Sequence, residues 1–366
     1  NSDSLTFNKS RGSDVKLLYG HVIFKQDNVL MYCDSAHFYS EENLFDAYSN
    51  IHIVQGDTVE AWADSLKYTG NQKLAQMHGN VKMRDRKTIL TTRHFDYETN
   101  TGIGKYYEGG KIIDEGNTLT SQIGIYLSAK KELFFKTSVV LHNKDYDILT
   151  DTLKYNTNNH VAYFLGSTNV LKDDGRLFTK KGWYNTKTDV CVLLKDSWFR
   201  DKEKYLKGDS IYYDKKKGFA TLYKNIVLKD TTQHLTITGN YAYYKEKPEY
   251  FFVTDNMILE KVFDMDTLHL HADTLVGFKT DTINDNRIIK TYHKVRFFKP
   301  DIQGKCDSLV YLTKDSVMTL FGKPIMWSEK NQITGKDIKF FFKNEEIYSV
   351  TIDVVACVVG GVIVTV

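Results

Sequence analysis

The sequence predicts an all-β fold, an elongated, solenoid-like stack of about eleven two-stranded repeats of about 29 residues each, without a helical domain. Three observations predict it. One short motif recurs in register, turn-forming residues separate the remaining runs, and β-branched and aromatic residues dominate those runs. No apolar period of 3.6 residues persists, so helical solenoids are excluded.

The recurring motif is a small residue, Asp, Ser or Thr, an apolar residue, any residue and Tyr, as at 63–68 and 150–155. Its Asp position falls at 34, 64, 93, 122, 151, 180, 209, 239, 273, 307 and 336. Aspartate itself occupies six of these positions: Asp34, Asp64, Asp151, Asp209, Asp273 and Asp307. A catalytic carboxylate pair would be unique, whereas these recur once per repeat. We therefore expect each to cap a strand bend by accepting backbone N–H groups.

An aromatic residue follows the Asp position by four in ten of the eleven repeats, and Gly277 is the exception. The ten are Phe38, Tyr68, Tyr97, Tyr126, Tyr155, Tyr184, Tyr213, Tyr243, Tyr311 and Phe340. Two interpretations remain open. The aromatic rings form a ladder that packs on itself, or they line an apolar slot that accepts acyl chains.

The alternation of side chains along the first strand of a repeat predicts a bend. Asp64, Leu66 and Tyr68 share one strand face, whereas Ala61 and Ala63 share the other. The apolar side chains therefore switch from one face of the strand to the other between the small residue and the Asp position. A bulge at this step, with the small residue at the bend, would turn both apolar sets toward one interior.

A second motif, Asn–apolar–any–apolar, follows about sixteen residues later, at 50–53, 80–83, 225–228 and 256–259. Turn residues lie between the two motifs, as at 70–72, 99–102 and 157–159. Each repeat therefore reads as strand, tight turn, strand and longer turn. Stacked repeats of this kind share one continuous apolar interior.

Composition excludes several functions. The 49 Lys and Arg against 46 Asp and Glu leave a net charge of +3, which does not indicate a nucleic-acid partner. No nucleotide, hydrolase or zinc-protease motif occurs.

His269 and His271 share a strand face, but they lack a third ligand at a diagnostic spacing, so we expect neither metal nor cofactor. The four cysteines (Cys33, Cys191, Cys306 and Cys357) are far apart and form no CxxC motif. Cys33 and Cys306 occupy the small-residue position of the repeat and are predicted to be buried free thiols.

We expect three segments: an N-terminal flanking segment at 1–14, a continuous repeat domain at 15–349 and an apolar tail at 350–366. Thirteen uncharged residues at 354–366 are too few to span a membrane, and they predict a terminal strand or an aberrant end. The chain begins with Asn1, so a signal peptide is presumed to have been removed.

The order of the two motifs resembles the OstA/LptA-like family of periplasmic lipopolysaccharide-transport proteins. The best example is 61–68 followed by 74–83, and 20–24 and 166–170 echo its second half. The pattern recurs in register over about residues 15–345. The resemblance implies an open β-jellyroll, V-shaped in section, whose hydrophobic groove holds acyl chains. It also implies edge-to-edge stacking into a bridge between the two membranes.

The resemblance further implies a non-enzymatic periplasmic protein that carries lipopolysaccharide or lipid A acyl chains to the outer membrane, with or without a direct association with that membrane. Its partners would be other transport-system proteins, joined by edge-strand pairing. The candidate groove residues are Leu66, Tyr68, Phe95, Tyr97, Leu153, Tyr155, Ile211, Tyr213, Leu309 and Tyr311. The candidate cations for lipid phosphates near the groove mouth are Lys67, Lys82, Arg84, Arg93 and Lys154.

Two other functions remain. The first is a structural or adhesive β-solenoid with a filled core and no lipid ligand. The second is a carbohydrate-active β-helix enzyme, whose carboxylates would interrupt the repeat within the two 34-residue intervals between 239 and 307.

Overall fold

The computed structural model describes residues 1–7, 15–26, 28–114, 116–172, 175–280, 286–328, 331–343, 346–353, 357–359 and 362–364. Its strands are β1 (Ser4–Phe7), β2 (Val15–Gln26), β3 (Val29–Tyr39), β4 (Leu44–Gln55), β5 (Val59–Thr69), β6 (Leu74–Asp85), β7 (Thr88–Glu98), β8 (Ile103–Tyr106), β9 (Gly110–Asp114), β10 (Asn117–Ser121), β11 (Ile123–Leu127), β12 (Glu132–His142), β13 (Asp147–Asn156), β14 (Val161–Phe164), β15 (Thr168–Leu171), β16 (Gly175–Thr179), β17 (Lys181–Asn185), β18 (Val190–Asp201), β19 (Lys204–Asp214), β20 (Phe219–Asp230), β21 (Leu235–Lys245), β22 (Tyr250–Val262), β23 (Thr267–Lys279), β24 (Arg287–Lys299), β25 (Ile302–Leu312), β26 (Val317–Phe321), β27 (Ile325–Ser328), β28 (Asn331–Thr334), β29 (Asp337–Lys343), β30 (Glu346–Asp353), β31 (Cys357–Val359) and β32 (Val362–Val364). The one helical element of these residues is a 3-10 turn at Ser128–Lys130. The predicted all-β fold is confirmed.

Consecutive strands pair antiparallel, so the chain forms a meander. Ala61 of β5 lies opposite Ile53 of β4 on one side and opposite Met83 of β6 on the other. In some repeats two short strands replace one long one, as β8 and β9 do beside β7. Each repeat thus supplies two paired strands, as its period predicts.

A bulge bends the long strands in the middle. In β4, Ser49 and Asn50 both have left-handed φ values, +60° and +52°, and together they oppose the single residue Asp64 of β5. The same two-against-one register recurs where β2 pairs with β3 and where β22 pairs with β23. The sequence predicts the bend at the small–Asp step, whereas the extra residue lies in the partner strand. A bulge of this kind bends the strand that carries it.

The bends divide the strands of each repeat into two halves that face each other. We call layer A the halves that contain Ala61 and Met83 of β5 and β6 and their equivalents in other strands. Layer B consists of the halves that contain Tyr68 and Ala75 and their equivalents. Buried apolar residues of both layers belong to the same core cluster, as Ala61 and Leu66 do. The predicted change of parity therefore turns both apolar sets inward.

The chain divides into two compact units. The N-terminal unit comprises Asn1–Asp173 and Trp183–Lys187, and the C-terminal unit comprises Asp174–Gly182 and Thr188–Val366. The N-terminal unit contains two core clusters, one centred on strands β2–β8 and one on β10–β14. One large cluster, from Leu193 to Phe340, forms the core of the C-terminal unit.

The segment expected to flank the repeats contributes a strand of its own. β1 pairs with β2, and the Asp3 amide donates to the Gly20 carbonyl oxygen at 2.9 Å. Residues 8–14 and much of the apolar tail lie outside the described residues, although β31 and β32 pair within that tail.

Glycine is required where the bulge of β6 approaches Asp64. Gly79 has φ +69°, and a β-carbon there would overlap the Asp64 carboxylate. Gly79→Ala should therefore cost more than the roughly 1–2 kcal/mol that an alanine loses in the left-handed region. Gly56→Ala is the matched control, because Gly56 has φ +59° with open space around its Cα. Urea unfolding of both variants measures the difference. Equal losses of stability would contradict the role assigned to the Asp64 contact.

Candidate functional site

The interior of each unit is the candidate site. Among the predicted groove residues, Leu66, Phe95, Leu153, Ile211 and Leu309 are buried in the cores. Four of the tyrosines, Tyr68, Tyr97, Tyr213 and Tyr311, are half-buried and pack against those cores. Tyr155 is half-buried at the equivalent position of β13. The structure thus places these side chains on layer B, facing inward.

In three strands of layer A, burial of the inward side chains decreases away from the bend. Ile51 and Val81, next to the bulges, are each 1% exposed, whereas Ile53 and Met83, two residues farther along, are only half-buried. The C-terminal unit shows the same gradient from Ile226, which is 1% exposed, to the half-buried Leu228. The inner face of layer A is therefore least accessible at the bend in these strands and more accessible toward their ends.

Direct contacts fill the interior at one place in the N-terminal unit. The Phe24 ring of layer A meets the Phe45 ring of layer B edge to face, with centroids 4.1 Å apart. Centroid distances for aromatic pairs start at about 4.5 Å, so this contact is close. The two layers touch here without intervening space.

Buried hydroxyl pairs interrupt the apolar interior along the bend. In the N-terminal unit, the Tyr106 and Ser121 hydroxyls lie 2.7 Å apart, and those of Thr150 and Thr168 lie 2.8 Å apart. Burial raises the pKa of Tyr106, so its phenol stays neutral. The Ser121 hydroxyl also donates to the Ile123 carbonyl oxygen at 3.0 Å. Each hydroxyl finds a partner, which offsets the cost of burying it.

The register of one repeat is corrected by the structure. The bulge of β20 leaves Ile226 opposite Gly239 and Tyr223 opposite Tyr241 of β21, so its two residues oppose Asn240. Asn240, rather than Gly239, therefore occupies the Asp position, and Tyr244, rather than Tyr243, is the aromatic four residues on. Tyr243 lies on the outer face. The sequence pattern placed this position at 239, because neither 239 nor 240 carries Asp and the Tyr243–Tyr244 doublet supplies an aromatic in either register.

The missing aromatic at Gly277 is replaced from the neighbouring strand. A β-carbon at Gly277 would overlap the ring of Phe251, which belongs to β22. The Phe251 side chain packs against the core of the C-terminal unit. The interior is therefore filled at this repeat by a residue that the repeat pattern does not single out.

The repeat aspartates form side-chain clamps across the bulges. Asn50 donates its side-chain N–H to the carboxylate of Asp34 at 2.8 Å, and Asn80 donates to Asp64 at 2.9 Å. Asn225 does the same to Asp209 at 2.8 Å. The expected donors were backbone N–H groups, whereas the structure uses the Asn of the second motif. These carboxylates therefore have a partner within the fold.

The remaining aspartates have other partners. Asp307 faces the His293 ring at 3.2 Å, Asp273 faces the Lys294 ammonium at 3.6 Å, and Asp151 accepts from the Thr152 hydroxyl at 3.0 Å. One clamp is reversed in charge: Lys180 occupies the Asp position and donates to Asp196 at 2.6 Å. Lys180 lowers the pKa of the Asp196 carboxyl. The sixteen-residue spacing of Lys180 and Asp196 was the signal that would have revealed it.

The proposed phosphate-binding cations point away from the interior. Lys82 and Arg84 lie over the outer face of the Trp62 ring, 5.4 and 5.6 Å from its centre, and Arg84 pairs with Glu60. Lys154 pairs with Glu132 at 2.6 Å. Lys67 and Arg93 are exposed.

A band of aromatic side chains covers the outer face of layer B in the C-terminal unit, and the sequence analysis missed it. Tyr243 stacks on Phe219 and Phe252, with centroids 5.9 and 5.8 Å apart, and Tyr241 lies 5.4 Å from Phe252. Doublets such as Tyr243–Tyr244 supply one ring to each face, because successive side chains alternate. The doublets were the signal that would have found this band.

The described residues contain no cluster of three or more His, Cys, Asp or Glu able to hold a metal ion. His269 instead lies 3.2 Å from Glu260 on the neighbouring strand. No helix in the described part of the chain is long and apolar enough to cross a membrane.

Two parts of the chain match models of known protein families. Residues 1–151 match the family model of the OstA-like protein, and residues 236–346 match that of the LptA/(LptD N-terminal domain) LPS transport protein. The chain belongs to the OstA/LptA-like family. Families of this kind are transport proteins rather than enzymes, and LptA-like domains are periplasmic. No curated protein matches the chain.

Three free cysteines should react slowly in the folded protein. Burial raises the pKa of Cys33 and Cys191 to about 11 and that of Cys306 to about 12. Because the thiolate is the nucleophile, alkylation by iodoacetamide at pH 8 should be many times slower than in urea. Peptide mass spectrometry follows each cysteine separately. Equal rates in the folded and unfolded protein would contradict the burial of that thiol.

Proposed function

We propose that the interior binds the acyl chains of lipopolysaccharide and that the protein carries this lipid toward the outer membrane. The observation that carries the proposal is the decrease in burial along strands of layer A, from Ile51 to Ile53 and from Ile226 to Leu228. Acyl chains would enter between the strand ends, where the inner faces are least buried. The family assignment supports lipopolysaccharide as the cargo.

Transfer of acyl chains into such an interior requires no bond breaking. Each methylene that leaves water contributes about 0.8 kcal/mol. Successive repeats offer similar apolar surfaces, such as Leu66 with Tyr68 and Phe95 with Tyr97. A lipid that moves from one repeat to the next therefore replaces its apolar contacts with similar ones. Its binding free energy changes little, so the lipid can slide along the interior.

The contact of Phe24 with Phe45 favours the alternative of a filled β-solenoid, at least at that position. Lipid entry there would require these rings to separate. Elsewhere in the N-terminal unit the half-buried Tyr68 and Met83 leave part of the inner surface accessible. We therefore place lipid entry from the half-buried Ile53 of β4 onward.

Pairing with other transport proteins would extend the path of the lipid. In the described residues β1 pairs with β2 on one side, and all four of its side chains are exposed. An exposed edge strand offers unpaired N–H and C=O groups to another chain. We propose this edge as a contact with a neighbouring component of a periplasmic bridge.

Photo-crosslinking tests the location of the lipid. A photoreactive amino acid in place of Tyr68 or Tyr213 should capture lipopolysaccharide at least several-fold more efficiently than one in place of Lys67 or Tyr212. The first pair faces the interior, and the second pair consists of adjacent outward-facing residues in the same strands. Capture confined to the outward positions would reject interior binding.

A charge placed inside should block the same site. Ile53→Glu introduces a carboxylate on the inner face, and it should weaken binding of a fluorescent acyl probe about tenfold or more because burying an unpaired charge is costly. Val54→Glu is the matched control, since Val54 is also half-buried but faces outward. Circular dichroism verifies that both variants fold. Equal binding by the two variants would support the filled solenoid.

A further inference from the structure

A cationic, aromatic face covers the outside of layer A in the C-terminal unit. Strands β16, β18, β19 and β20 present eight outward side chains here, four of them basic and three aromatic. They are Arg176, Phe178, Trp198, Arg200, Tyr205, Lys207, Val227 and Lys229. Their neighbours along each strand face inward, as the core positions of Leu177, Leu206 and Leu228 show. None of the eight is acidic, so the face has a charge of +4.

Three of these cations lack an acidic partner. Within the described residues, no carboxylate lies within ion-pair distance of Arg200, Lys207 or Lys229. The carboxylates that follow Arg200 and Lys229 in the chain are engaged elsewhere: Asp201 accepts backbone N–H groups of its own turn at 2.6 and 2.8 Å, and Asp230 does the same at 3.0 Å. The charges of Arg200 and Lys229 are therefore not neutralised by a carboxylate of the described residues, whereas the charge of Lys207 acts, after that of Lys180, to lower the pKa of Asp196.

The aromatic rings form a platform between these charges. Trp198 lies at its centre, with Phe178 stacked at 5.7 Å and an interplanar angle of 24°, and Tyr205 at 6.3 Å. The Arg176 guanidinium lies 5.8 Å from the centre of the Trp198 ring. All three rings are half-buried, so each presents part of its surface to solvent.

The N-terminal unit offers an instructive contrast. Trp62 also lies on the outer face of layer A beneath Lys82 and Arg84, but Glu60 on the same face pairs with Arg84 and with His52, the latter at 3.0 Å. Its cations are thus partly neutralised by a neighbour. The C-terminal face has the same arrangement, but none of its eight outward side chains is acidic, so the charges of Arg200 and Lys229 are available to a ligand.

We propose that this face, centred on Trp198, binds a phosphorylated saccharide, namely the sugar-phosphate portion of lipopolysaccharide. Arginine and lysine bind phosphate oxygens by charge-assisted hydrogen bonds. Half-exposed aromatic rings offer an apolar surface to the C–H face of a sugar ring. The identity of the saccharide rests on the proposed transport function, whereas the site lies outside the acyl-binding interior.

Fluorescence of Trp198 and calorimetry test the site on the full chain. The probe is fully deacylated lipopolysaccharide oligosaccharide with its phosphates retained, which has no acyl chain to enter the interior. We expect saturable binding that weakens with added salt. Arg200→Glu and Lys229→Glu should each lower the affinity about tenfold or more, and Trp198→Ala should lower it comparably.

Lys305→Glu is the matched control, since Lys305 is exposed on layer A of the same unit but on β25. It should leave the affinity within about twofold.

Loss of affinity on enzymatic removal of the phosphates would support the proposal. Undiminished binding of the dephosphorylated sugar, or equally tight binding of single-stranded DNA, would overturn it. Absence of binding would also overturn it, even if acyl-probe binding is intact, whereas failure of acyl binding alone would overturn only the proposed transport function.

Discussion

The fold depends on the bulge that bends each strand in the middle. Without the second residue of the bulge, alternation would place Ala63 and Leu66 of β5 on opposite faces of a flat sheet, and half of the apolar residues would face water. An Asp–Asn clamp holds three of these bulges against the next strand, as Asn80 does with Asp64. In such a repeat, two left-handed residues and one side-chain hydrogen bond thus decide where the interior lies.

The sequence predicts most of the architecture because the repeat is a local property. The period gives the strands, the parity change at Asp64 gives the bend, and the turn residues give the connections. Three features depend on packing between strands, so the repeat in the sequence does not predict them. The bulge lies in the partner strand, Gly239 and Asn240 compete for one register position, and Phe251 fills the space above Gly277 from a different strand.

In the candidate site too, the repeat predicts some residues, whereas others depend on packing between strands. Leu66, Phe95, Leu153, Ile211 and Leu309 are inward because of their position in the repeat, which sequence periodicity predicts. The cations Lys82 and Arg84 were assigned by residue type alone, and the structure places them over Trp62 on the outside. Outer-face chemistry depends on which residues become cross-strand neighbours, and that register is set by the bulges.

The charge-reversed clamp between Lys180 and Asp196 has an evolutionary consequence. Each clamp is closed by two side chains sixteen residues apart and shares no group with the next clamp, so one can be rebuilt while the others stay unchanged. A gene of this design can therefore lengthen or shorten by duplication or loss of whole strand pairs. Chain length then becomes a trait that can change one repeat at a time.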